Sequence, residues 1–107
     1  MTRPAEPFYA HVRNGRFFNI YRSKRATAMG THGRDDGEPV VAVLVEESPD
    51  GDYYGWEDAH IAGPVLIYGD RRAVEMCFPY GTEAEEKRGR GRVVRLAIRE
   101  ASPPGPR

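Results

Sequence analysis

The dipeptide Asn14-Gly15, set inside an alternating apolar and polar stretch from Phe8 to Tyr21, limits most sharply how this chain can fold. A two-residue hairpin loop favours the type I′ turn, whose twist matches that of the flanking strands and which needs positive φ at both central residues. Asn and Gly accept that conformation at least cost. The turn then sets a register. Val12 faces Phe17, Ala10 faces Asn19 and Phe8 faces Tyr21 on one side, while Arg13 faces Arg16, His11 faces Phe18 and Tyr9 faces Ile20 on the other. The first set is the more apolar and is expected to look into the core.

The same alternation, broken by turn residues, recurs along the chain. Val40 to Val45 is an unbroken apolar run that predicts a central strand covered on both faces. Ser48-Pro49-Asp50-Gly51 has the residue order of a type I turn and is expected to reverse the chain into a strand carrying Tyr53, Tyr54 and Trp56. Gly69-Asp70 predicts a further hairpin, with Val65 opposite Val74 and Leu66 opposite Ala73. In the last strand, Val93 to Arg99, Val94, Leu96 and Ile98 share one face and Arg95 and Arg99 the other. Thr82-Glu83-Ala84-Glu85 matches a capping box, and Gly89 and Gly91 would end that short helix. The expected fold is therefore all-β and mostly antiparallel, with at most one short helix and six or seven short strands in a small curled sheet or barrel. Val41, Val43, Val45, Val65, Val74, Leu96 and Ile98 are its expected core.

A chain of 107 residues predicts a single small β-domain over 1–101, with a long loop at 23–38 and a disordered proline-rich tail at 102–107. The lone cysteine, Cys77, lies between Met76 and Phe78 and reads as a small buried hydrophobe. No apolar run is long enough to span a membrane, and Met1-Thr-Arg-Pro lacks a signal-peptide core, so the expected location is the cytoplasm.

A net charge of zero conceals a blockwise arrangement. Residues 1–34 hold seven basic groups and one acid, residues 35–58 hold nine acids and no Lys or Arg, and residues 59–107 hold nine basic groups and six acids. Separated patches of this kind point to macromolecular partners. The acidic block ends in Tyr53-Tyr-Gly-Trp-Glu-Asp58, where carboxylates beside aromatic anchors suit an interface for a basic protein surface. Asp50, Asp52, Tyr53, Tyr54, Glu57 and Asp58 are the candidate partner-binding residues. Trp56 reads as core.

A second candidate surface is basic and aromatic. Tyr9, His11, Arg13, Arg16, Phe18 and Arg22, followed by Lys24 and Arg25, could stack bases and neutralise phosphates, joined by Arg88, Arg90 and Arg92 of the Arg/Gly run. Against it stand the near-neutral pI of about 6.8 and the acidic block, which would repel a polyanion.

Catalytic chemistry has little to draw on. No nucleophile elbow or phosphate loop occurs, and His32 with Asp35 and Asp36, or His60 with Asp58, matches no established metal-ligand spacing. No catalytic residue, metal or cofactor is assigned. The sequence therefore reads first as a non-enzymatic regulatory or inhibitory protein, of the kind phages and mobile elements encode, that binds a protein partner. A nucleic-acid-binding module is the alternative, and a small ligand-binding or enzymatic barrel the third reading.

Overall fold

The first hairpin forms where Asn14-Gly15 demands it. In the computed structural model, which describes residues 6–29 and 40–101, β1 (Glu6–Arg13) and β2 (Arg16–Tyr21) run antiparallel. Asn14 and Gly15 take φ of 51° and 76°. Arg13 with Arg16, Val12 with Phe17 and His11 with Phe18 pair as expected, but Tyr9 meets Tyr21 rather than Ile20. A bulge causes the slip: Asn19 and Ile20 together oppose Ala10, with Asn19 at φ 52°. The extra residue reverses the inward and outward alternation, so the expected pairings of Ala10 with Asn19 and Phe8 with Tyr21 are lost. Ile20 enters the core and Tyr21 turns outward.

Four more strands complete the sheet: β3 (Val40–Glu47), β4 (Tyr53–Asp58), β5 (Pro64–Tyr68) and β6 (Gly91–Glu100). The order is β2-β1-β3-β6-β4-β5, and every pairing is antiparallel. The sheet curls until its two edge strands, β2 and β5, touch, giving a nearly closed barrel. Phe8, Ala10, Ile20, Val43, Val45, Tyr53, Ile67, Val94 and Leu96 fill it. Val41, Val65 and Ile98, expected in the core, are only half-buried. β3 also differs from expectation, because Ala42 on its other face is exposed.

Three short helices are described where at most one was expected: α1 (Lys24–Met29), α2 (Arg71–Glu75) and α3 (Thr82–Lys87). α1 opens the stretch read as a loose loop. Ser23 caps it, its Oγ accepting from the Ala26 N–H at 3.0 Å, and the buried Thr27 hydroxyl donates to the Tyr9 carbonyl at 3.0 Å. The rest of that loop, 30–39, and the tail, 102–107, lie outside the described residues.

At Gly69-Asp70 the expected hairpin is replaced by the start of α2. Asp70 holds an extended φ of −143°, unfit for a type I′ turn, and its carboxylate caps the helix by accepting from the Arg72 N–H at 3.0 Å. Val74 is buried on α2 instead of facing Val65 across a ladder. In α3 the cap is Gly81, with no side-chain bond, so the capping box does not form; Thr82 is buried instead. Cys77 is exposed, contrary to its reading as a buried hydrophobe, because it follows α2 on a surface turn.

The connection from β3 to β4 brings the largest revision. The Ser48–Gly51 turn forms, with the Gly51 N–H donating to the Ser48 carbonyl at 3.2 Å. It joins no hairpin. β6 lies between β3 and β4, so the chain crosses from one edge of β6 to the other, and both Glu47 and Tyr53 pair with Leu96. The crossing brings Gly51 against the β6 backbone, where a Cβ would stand 2.0 Å from the Leu96 carbonyl oxygen. Arg95 Nε fastens it by donating to the Gly51 carbonyl at 2.6 Å.

Candidate functional site

A cavity of about 500 Å³ opens between the two strands that fail to close the barrel. Its walls are Phe8, Phe17, Phe18 and Ile20 on one side and Pro64, Val65, Leu66 and Ile67 on the other. Ala26 of α1 and Tyr21, Ser23 and Tyr68 also line it. The size lies within the range of small-molecule sites, and the wall chemistry matches them: largely apolar, with a few polar groups.

Local backbone geometry keeps this seam open. Leu66 and Ile67 together oppose Gly55, so β5 carries a bulge that mirrors the one in β2, and Leu66 has φ 52°, matching Asn19. Each bulge faces a small residue, Ala10 or Gly55. Positive φ at a bulky residue such as Leu is unusual and marks stored strain of the kind that gathers at functional positions. Both irregular residues line the cavity.

Arginine side chains span the seam where backbone ladders do not. At one end Arg16 donates through Nη2 to the carbonyls of Asp52 and Gly69, each at 3.5 Å, and lies over the Tyr53 ring at 4.4 Å. At the other, Arg22 Nη2 donates to the carbonyls of Ala62 and Pro64, with its guanidinium 4.8 Å from the Phe8 ring centre. Gly69 leaves room for this closure, since a Cβ there would meet Arg16 Nη2 at 2.5 Å. Tyr68 stands at the rim, with Cys77 Sγ 3.8 Å from its hydroxyl. Burial, followed by the hydrogen bond with Cys77, pushes the Tyr68 phenol up to about 12.

The residues proposed to meet a protein partner are divided. Tyr53 is buried in the core, its hydroxyl accepting from the Phe17 N–H at 2.9 Å, while Tyr54 is half-buried beneath Arg95. Glu57 and Glu47 flank Arg92 at 3.5 and 3.1 Å, which raises the Arg92 pKa. Asp58 accepts from the His60 N–H at 2.8 Å. Asp50 and Asp52 stay exposed on the crossing turn. The acidic block, unbroken in sequence, is thus interleaved in space with cations of β6. Trp56 is buried as expected, packed on Phe78 at 4.6 Å between ring centres.

The basic and aromatic candidates also separate. Phe18 and Arg22 line the seam and Arg16 spans it. His11 is buried and stacked on Phe18 at 5.4 Å, Arg13 lies over that same ring, and Tyr9 is half-buried. Lys24 and Arg25 are exposed on α1, next to the seam. Arg88, Arg90 and Arg92 belong elsewhere: Arg88 and Arg90 on the turn from α3 into β6, where Arg90 pairs with Glu85 at 3.4 Å, and Arg92 in β6 itself. His32, Asp35 and Asp36 lie outside the described residues. Among the described residues no three His, Cys, Asp or Glu side chains gather, and no helix is long and apolar enough to cross a membrane.

The β5 half of the seam was absent from every sequence-based candidate. Its only local signal was Leu66, an apolar residue within an unbroken apolar run, and the wall exists because two strands distant in sequence meet. Compared with protein-family models, curated proteins and solved structures, the chain matches none.

Proposed function

We propose that this domain is a small-molecule-binding β-barrel whose site is the seam between β2 and β5. The observation that carries the reading is the apolar cavity between two edge strands, each bulged at a left-handed residue. A bulge at the centre of each edge also disfavours addition of an extended peptide strand, because the hydrogen-bonding row is interrupted. A compact molecule suits the space better.

The test uses N-phenyl-1-naphthylamine, a neutral apolar fluorophore. Saturable fluorescence enhancement is expected, and Ala26→Trp, which enlarges an exposed lining residue, should abolish it without lowering the melting temperature. Absence of saturable binding, or binding indifferent to Ala26→Trp in a folded variant, overturns the reading.

The second reading is a regulatory or inhibitory role through a basic protein partner. It draws on Asp50 and Asp52, which are exposed and join no ion pair among the described residues. Charge reversal at both should slow association with a partner recovered from the native host. An unchanged association rate removes this reading.

A further inference from the structure

We infer that the ligand of the seam is an uncharged compound with an apolar body, and that Arg22 braces the cavity rather than receiving an anion. The inference rests on the seam being a small-molecule site, and it adds the charge class of the occupant.

The lining offers hydrocarbon and neutral groups. Phe8, Phe17, Ile20, Val65, Leu66 and Ile67 carry no polar side-chain atom, and no Asp or Glu stands among the described residues that line the cavity. Tyr68, its phenol pushed up to about 12 by burial and by the hydrogen bond with Cys77, is neutral at physiological pH. Among the described lining residues, Arg22 alone carries a formal charge.

That charge is already engaged. Arg22 Nη2 donates to the carbonyls of Ala62 and Pro64, its guanidinium lies 4.8 Å from the Phe8 ring centre, and the residue has a further interaction besides these. A carboxylate can claim it only at the expense of contacts that fasten the end of β2 to the start of β5. Arg16, Lys24 and Arg25 do not line the cavity, and all three are exposed, so salt screens them. A cation fares no better. No carboxylate lines the cavity to meet it, and the rings of Phe8 and Phe18 each already carry a guanidinium, from Arg22 and Arg13. An ion of either sign would lose water without gaining a counter-charge, the costly way to bury a charge.

A neutral polar group has better prospects. β2 pairs only with β1 and β5 only with β4, so each strand keeps an edge of backbone N–H and C=O groups outside the ladders. Tyr53 and Arg22 already use two such groups, the Phe17 N–H and the Pro64 carbonyl. A hydroxyl or carbonyl on a ligand pairs with groups of this kind without needing an ionised side chain.

Competition against the neutral fluorophore tests this with three probes that share one body: 4-phenylbutanol, 4-phenylbutanoate and 4-phenylbutylammonium. The alcohol should displace the fluorophore at a concentration at least about tenfold below that of either ion, and added salt should leave that order unchanged. Arg22→Gln should weaken all three by a similar factor, because it loosens the seam without removing an anion site. Displacement by either ion at or below the concentration needed for the alcohol overturns the inference. So does an Arg22→Gln variant that weakens the carboxylate alone, or one that leaves all three probes unchanged. If Arg22→Gln does not fold, the wild-type order and its response to salt decide. Saturable fluorophore binding that no probe displaces overturns the inference and leaves the seam standing, whereas failure of the fluorophore to bind rejects the seam itself.

Discussion

The middle of the sheet and its seam meet the same need, joining neighbouring strands, by different means. Between β3, β6 and β4 the backbone ladders are continuous, and Arg92 sits between Glu47 and Glu57 on the two flanking strands. Between β2 and β5 a bulge in each strand accompanies an open gap, and Arg16 and Arg22 reach across to backbone carbonyls. Rigid pairing at one site supplies the frame on which an unpaired site can be held open. Departures from regular geometry thus collect where a ligand could enter, as expected when a fold tolerates local strain for function.

The largest perturbation should come from charging the paired region. Val43 is fully buried in β3, and Val43→Asp would place an unpaired carboxylate there. The expected result is loss of the cooperative melting transition, because the cost is comparable with the ~5–15 kcal/mol that holds a whole domain together. Gly51→Ala should follow, at about 3 kcal/mol in urea unfolding, since the new methyl meets the Leu96 backbone rather than a movable side chain. An unchanged midpoint for Gly51→Ala would mean the crossing is looser than the ladder on either side.

Gly15→Val should cost about 2 kcal/mol by forcing a β-branched residue into positive φ. Leu66→Gly sharpens the contrast, because relief of left-handed strain offsets lost contacts and a net change within about 0.5 kcal/mol is expected. Leu44→Gly in regular β3 should cost more than about 1 kcal/mol, and equal losses at the two positions would deny that Leu66 is strained. The smallest effect is electrostatic. Because the folded-state pKa of Tyr68 lies near 12, above the unfolded value of about 10, the native state keeps a proton that the unfolded chain has lost. Stability from this source is intact below pH about 10 and declines as the pH rises toward 12. In Tyr68→Phe that part of the decline should vanish from a melting series, and one late-titrating phenol should vanish from tyrosinate absorbance.

How far the fold could be read from sequence varies with the distance over which each feature is decided. Asn14-Gly15 specifies a turn within four residues, and three adjacent pairings followed from it. The bulge left a trace, since strict alternation would send Asn19 inward and Ile20 outward, against their polarity. Asp70 was ambiguous because the same residue suits a turn and a helix cap. Leu66 showed only as an apolar residue within an apolar run, with no sign of its positive φ, and the seam needs two remote strands to meet. The charge balance of the acidic block was hidden for a related reason: Arg92, which pairs with Glu47 and Glu57, comes from a strand that only the tertiary fold inserts beside it. Arg16, Phe18 and Arg22 were singled out for nucleic acid, and the cavity that Phe18 and Arg22 line was not visible in the sequence.

The placement of β6 also determines when this protein can become itself. The last of the described strands to leave the ribosome forms the middle of the sheet, so β3 and β4 must wait with two unmatched edges until Gly91–Glu100 has been made. A nascent chain in that state offers two strand edges to any neighbour, the condition under which intermolecular pairing competes with folding. Pairings as remote as Val43 with Glu100 also slow the search for the native topology. Synthesis that stalls before β6 would leave a chain dependent on chaperones, and the crossing at Gly51, which packs on β6, would be among the last contacts to form.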